Sequence, residues 1–239
     1  MVIKPKKKKG NQKPKLNITL GEEAKQKLAA LAKLEKRSVS NLIEVMADAR
    51  ANLLRMLAQK SFHLGNFKLS SGATSDYYID CRLTTLDAAG AVATGDAVLA
   101  EIRRQGWPAD AIGGLTMGAD PIVVATSVIS AQQGVPINGF LVRKAEKTHG
   151  TGQRIEGFRE KGARVVILDD VCTTGASTIQ AIDAAREFGF EISGVLCLVE
   201  RQEAGGRANV EKAAAPAPFV ALFTANDVRA EHLKSLVTK

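Results

Sequence analysis

Two adjacent acids, Asp169 and Asp170, follow the apolar run "RVVIL" (164–168) and directly precede "VCTTGAST" (171–178). Their surroundings pull in opposite electrostatic directions. Thr173, Thr174, Gly175, Ala176 and Ser177 offer backbone N–H groups and hydroxyls to a single phosphate, Gly175 permits the turn, and a helix opening there adds its positive end. Carboxylates aimed at that phosphate would oppose it, but aimed at a vicinal diol they accept two neutral hydroxyls. A ribose 5-phosphate with free 2′ and 3′ hydroxyls satisfies both halves. The bland alternative is an acid pair that only caps a turn. The loop is neither GxxxxGK[ST] nor GxGxxG, which excludes a Walker loop and a dinucleotide fingerprint.

Upstream, "RKAEKTHGTGQR" (143–154) gathers Arg143, Lys144, Lys147, His149 and Arg154 among Gly and Thr, with no large apolar residue before Ile155. Such a segment has nothing to bury, so its composition predicts a loop that an anion orders. A solvated charged surface is the ordinary reading of such a run. Five basic residues in twelve, just after a strand that ends at the same edge as the acids, favour the anion.

The elements that must position these groups are legible as apolar runs. "AIGGL" (111–115), "INGFLV" (137–142), "RVVIL" (164–168), "EISGVLCLV" (191–199) and "FVALF" (219–223) read as buried strands. Helices are expected over 121–133, over 177–188 and after Thr224. The alternation predicts an α/β fold with a doubly wound parallel sheet, whose ligands bind beyond the carboxyl ends of the strands.

An apolar strand, two acids and a T-x-G phosphate loop opening a helix together resemble the signature of the type I phosphoribosyltransferases. Along 55–239 the chain is similar to the orotate phosphoribosyltransferase family in four segments, in order: "FKLSSGATSDYYIDCR" (67–82), "RKAEKTHGTGQRIEG" (143–157), the acid–loop stretch, and "VERQEAGG" (199–206). The resemblance implies the type I phosphoribosyltransferase fold and transfer of ribose 5-phosphate from phosphoribosyl pyrophosphate to orotate. It implies that Arg143, Lys144, Lys147 and His149 bind pyrophosphate and carry catalysis. Asp169, Asp170, Val171, Cys172 and residues 173–177 would hold the phosphoribosyl group, and Thr173, Tyr78 and Arg201 the orotate. It implies Mg²⁺ held mainly by substrate oxygens and water, with no direct protein ligand, and a homodimer whose subunits share each active site. Gly118 and Ser70 stand where some members place a lysine beside pyrophosphate and beside the base, so this chain lacks those two charges. A phosphoribosyltransferase for another base, or a regulator that uses the domain as a sensor, are the competing readings.

Ahead of this domain (53–239) the pattern differs. Residues 1–15 carry seven lysines and no acid, so nearly all of the net charge of +8 sits in a tail too polar to fold: a solubilising segment or a phosphate-binding arm. Residues 16–52 read as a strand, "KLNITL", then two amphipathic helices, too little chain to bury both apolar faces alone. The segment resembles the ribbon-helix-helix DNA-binding modules, and the resemblance implies base contacts by Lys15, Asn17 and Thr19; the alternative is a hairpin that only oligomerises. No apolar run approaches the ~20 residues of a membrane span, and three widely spaced cysteines lack zinc-ligand or CxxC spacing. The cytoplasm is the expected compartment.

Overall fold

The computed structural model describes residues 21–34, 38–68, 74–144 and 154–237. Helices α1 (Glu22–Leu34) and α2 (Val39–Met56) lead, and α2 continues through a π-helical turn, Leu57–Ser61, into strand β1 (Phe62–Lys68). β1 pairs antiparallel with β2 (Thr74–Ile79), followed by the short α3 (Arg82–Thr85) and long α4 (Ala88–Gln105). Next come β3 (Ala111–Leu115), α5 (Asp120–Gln132), β4 (Asn138–Val142), β5 (Ile155–Gly157) and β6 (Arg164–Cys172). The chain closes with α6 (Ala176–Phe188), β7 (Glu191–Glu200), α7 (Gly206–Ala214), β8 (Phe219–Thr224) and α8 (Ala225–Val237).

The sheet order is β5-β4-β3-β6-β7-β8, parallel throughout except that β5 runs antiparallel to β4. The doubly wound parallel sheet is as the sequence predicts; the antiparallel edge strand and the separate β1–β2 ribbon are additions. Successive residues of β6 enter opposite cores, as a two-residue period requires. Val166 and Leu168 pack with Leu53, Phe62, Ile102 and Ile122, while Val165 and Ile167 pack with Phe140, Ile182 and Val210. Each fully buried side chain of this size contributes roughly 1.5–3 kcal/mol.

Two boundaries differ from the sequence reading. β6 does not stop at Leu168 but carries both acids, because β7 continues the ladder through Asp169↔Cys197, Val171↔Val199 and Cys172↔Glu200. Paired backbone outweighs side-chain polarity there. Helix α2 crosses the expected 52/53 domain boundary without a break, and Leu53 and Leu57 are both fully buried in the main core. Its C-terminal half therefore belongs to the packing of the large domain. The strand expected at 15–20, with Lys15, Asn17 and Thr19, lies outside the described residues.

Candidate active site

From β3 the chain steps outward to β4, whereas from β6 it steps the other way to β7 and β8. The order thus reverses between β3 and β6, where open α/β sheets bind ligands. A cavity of about 960 Å³ opens at that point. β6 contributes Asp169, Asp170 and Val171, its following loop Thr173, the first turn of α6 Ser177, the residues just past β4 Arg143 and Lys144, the residue just past β7 Arg201, and β2 Tyr78. Four sequence segments thus converge on one space. Lys147, His149 and Ser70 lie outside the described residues.

The two acids are not equivalent. Asp169 is 5% exposed, with Oδ2 accepting from Thr178 Oγ1 at 2.5 Å and Oδ1 from the Asp170 amide at 3.0 Å. Burial pushes its carboxyl up to about 7, against the pull of the Thr178 hydroxyl. Asp170 is the more open of the pair and uses Oδ1 to accept from the Val171 amide at 2.8 Å; burial raises it too. Arg82, bonded through Nε and Nη2 to Asp80 at 2.8 Å each, stands on the same cavity wall. That contact holds Asp80 below the usual carboxylate range.

The loop after β6 is braced from behind by α7. A Cβ on Gly206 would lie 2.2 Å from the Thr173 carbonyl oxygen, so only glycine lets the two backbones approach. Asn209 Nδ2 donates to the Thr174 carbonyl at 3.2 Å. α7 is itself anchored by Arg207, whose Nε and Nη2 donate to buried Glu200 at 2.9 and 2.5 Å. Gly175 takes φ 82° and hands over to α6, whose first-turn amides have no intrahelical acceptor and face the loop's mouth. Thr174, Ala176 and Ser177 are exposed there. Cys172 is different: its side chain is 1% exposed in the core, and burial lifts the thiol to about 11. Any ligand contact by Cys172 is therefore limited to its backbone, because strand alternation turns its side chain inward.

At the opposite end Arg201 is only 8% exposed, yet it lines the cavity. Its amide donates to the Cys172 carbonyl at 2.9 Å, which ties the end of β7 to β6. Ser75, Tyr77 and Glu203 surround its guanidinium; all three fall in segments that carry the family resemblance, but none is assigned a role from the sequence. Tyr78, on the other face of β2, packs against Phe67 at 5.5 Å between ring centroids.

Where the basic segment begins, Arg143 Nη1 lies 3.5 Å from Glu156 Oε1, and the Lys144 carbonyl accepts from Gln180 Nε2 at 3.1 Å. Across the cavity a Cβ on Gly118 would fall 2.6 Å from Asp170 Oδ1. The backbone at Gly118 therefore comes close to the acid.

Three comparisons bear on this geometry. The family model described as the phosphoribosyl transferase domain matches residues 85–213. The orotate phosphoribosyltransferase of Aquifex aeolicus is 42% identical over 170 residues, 70% of this chain and 91% of that protein. That of Synechocystis is 42% identical over 185 residues, covering 77% of this chain and 90% of its own. Among solved structures, Mycobacterium tuberculosis orotate phosphoribosyltransferase in complex with Fe(III) dicitrate superposes with a TM-score of 0.66 at 33% identity, over 75% of this chain and 98% of that one. The same enzyme in complex with 5-phospho-α-D-ribosyl 1-diphosphate gives 0.59 at 27% identity, over 75% and 91%.

Proposed function

This chain belongs to the orotate phosphoribosyltransferases, within the phosphoribosyl transferase domain family, and from that premise we propose how its residues divide the reaction. It is a pentosyltransferase that moves the 5-phosphoribosyl group from phosphoribosyl pyrophosphate to orotate, in the pathway to pyrimidine nucleotides. One observation carries the assignment of roles: the acid pair, Thr173 and Ser177, the first two residues of the basic segment (Arg143 and Lys144) and Arg201 share a single cavity at the sheet's switch point.

The N1–C1′ bond forms on one face of the ribose as the C1′–oxygen bond to pyrophosphate breaks on the other. Charge leaves C1′ and builds on the departing oxygens, so stabilising the leaving group and excluding water dominate catalysis. The amides and hydroxyls of 173–177 hold the 5-phosphate at the positive end of α6. Asp170 takes the ribose hydroxyls from the cavity side, and Asp169, fixed by Thr178, backs it. Arg143, Lys144, Lys147 and His149 neutralise pyrophosphate. Arg201, with Tyr78 and Thr173, receives the orotate.

Mg²⁺ fits this site as an ion carried mainly by substrate oxygens and water, with Asp170 presenting a carboxylate to the cavity. When bound, it would supply positive charge that offsets the charge developing on the leaving group.

The homodimer reading is supported by an apolar stripe beside the site. Met117 and Val124 are 64% and 59% exposed, and Val128 lies one turn beyond Val124 on α5. An isologous interface would bury such a stripe against its own copy. Residues 16–52 are read as a ribbon-helix-helix-like module, a reading supported at α1 and α2, with Lys15, Asn17 and Thr19 as the DNA-contacting residues. The reaction is tested by following orotate consumption in ultraviolet absorbance with phosphoribosyl pyrophosphate and Mg²⁺.

A further inference from the structure

Arg201 is gripped along one edge. Nε donates to Tyr77 Oη at 3.0 Å and to Glu203 Oε1 at 3.1 Å, and Nη2 donates to Ser75 Oγ at 3.1 Å. Those acceptors occupy the Nε–Nη2 side of the planar fork. Among the described residues the Nη1–Nη2 end carries no further acceptor, and that end matches a carboxylate with two parallel hydrogen bonds.

Tyr77 is the centre of the grip. Its hydroxyl accepts from Arg201 and donates to Glu203 Oε1, so one oxygen fixes both the guanidinium and its counter-ion. Burial, reinforced by Glu203, pushes the phenol up to about 12 and keeps that proton in place at neutral pH. The ring is stacked on Phe62 at 5.4 Å and 15°, and the Arg201 guanidinium carbon lies 4.6 Å from the ring centroid. Phe62 is fully packed where β1 leaves the π-helical turn, so Tyr77 and Arg201 are seated against the core while Glu203 closes the grip from the exposed side. Ser75 and Tyr77, two residues apart on β2, present to one face of the ribbon. Tyr77 itself stands behind the cavity wall that Arg201 forms.

We propose that Tyr77, with Glu203, is a positioning residue for base specificity, holding Arg201 so that its free end receives the carboxylate that distinguishes orotate from an uncarboxylated pyrimidine. This rests on the orotate reading above. An arginine without such backing would sample several rotamers, and the entropy of fixing it would be charged to each binding event.

The test is Tyr77→Phe, which keeps the ring stack and removes only the shared hydroxyl. At saturating phosphoribosyl pyrophosphate the KM for orotate should rise about tenfold, the effect of losing one hydrogen bond to a charged group, with kcat within about twofold. The KM for phosphoribosyl pyrophosphate should stay within about twofold of wild type. In an Arg201→Lys background the same change should move the orotate KM by less than about twofold, since its route through Arg201 is gone. An unchanged orotate KM in Tyr77→Phe would overturn the proposal. So would both substrate KM values rising together, or a full tenfold effect in the Arg201→Lys background. Failure of the wild-type protein to consume orotate would instead overturn the base assignment on which it stands, before any variant is compared.

Discussion

Thr178 on α6 donates its hydroxyl to Asp169 Oδ2 at 2.5 Å, so the helix that follows the 173–175 loop also sets this acid. One element therefore fixes the spacing between the regions proposed to hold the phosphate and the ribose. It also tunes charge: burial raises Asp169 to about 7, and the Thr178 hydroxyl is the main force opposing that rise.

Replacing Thr178 by Val keeps the shape and removes the donor. The carboxylate form of Asp169 then loses stabilisation and its pKa moves further up. The acid limb of kcat/KM for phosphoribosyl pyrophosphate, expected near pH 7 in the wild-type protein, should shift to higher pH in Thr178→Val. Stability has the opposite sign. Because Asp169 binds its proton more tightly folded than unfolded, its contribution is full below about pH 4 and is lost as pH rises toward 7. A pH–rate profile and urea midpoints across that window check both.

Gly206→Ala tests the brace behind the phosphate loop. The new methyl would lie 2.2 Å from the Thr173 carbonyl oxygen, and that oxygen belongs to backbone, so the loop must move. The KM for phosphoribosyl pyrophosphate should rise at least about tenfold, and stability should fall by roughly 1–3 kcal/mol. Steady-state kinetics and urea unfolding separate the two.

Much of this arrangement was legible in the sequence because buried parallel strands announce themselves as apolar runs. "AIGGL" became β3 with the same bounds, and "FVALF" became β8 with one residue added. "RVVIL" underestimated β6 because the acids that follow look like a loop, while the ladder to β7 keeps them extended. The β1–β2 ribbon was missed for the converse reason: "FHLGNFK" and "TSDYYI" alternate weakly and mostly face solvent. The grip on Arg201 joins Ser75 and Tyr77 to a residue well over a hundred positions away, and no local period reports such a contact. The S-x-Y spacing on one strand face was its only signal. Thr178 was hidden one residue past the loop's last assigned position.

Lys147→Ala tests the basic segment. Removing a cation that neutralises the leaving group should lower kcat about a hundredfold or more while changing the orotate KM little. Single-turnover measurements with both substrates saturating report this directly; turnover within about twofold of wild type would remove Lys147 from the mechanism.

The N-terminal reading is tested by deleting residues 1–20, which removes the lysine-rich tail with Lys15, Asn17 and Thr19 but leaves α1 and α2 in place. A longer deletion would cut into α2, whose Leu53 is buried in the main core. Binding of the full chain to duplex DNA should weaken steeply with salt, and the shortened chain should lose that binding while consuming orotate at the same rate. Equal binding by both would place DNA contact elsewhere or nowhere.

The central claim is that the shared cavity joins a phosphoribosyl group to orotate. Its most direct measurement is the loss of orotate absorbance with purified protein, phosphoribosyl pyrophosphate and Mg²⁺, against parallel reactions with uracil and adenine. Orotate alone should be consumed, dependent on phosphoribosyl pyrophosphate and stoichiometric with pyrophosphate released. Consumption of uracil or adenine with orotate untouched would contradict that claim.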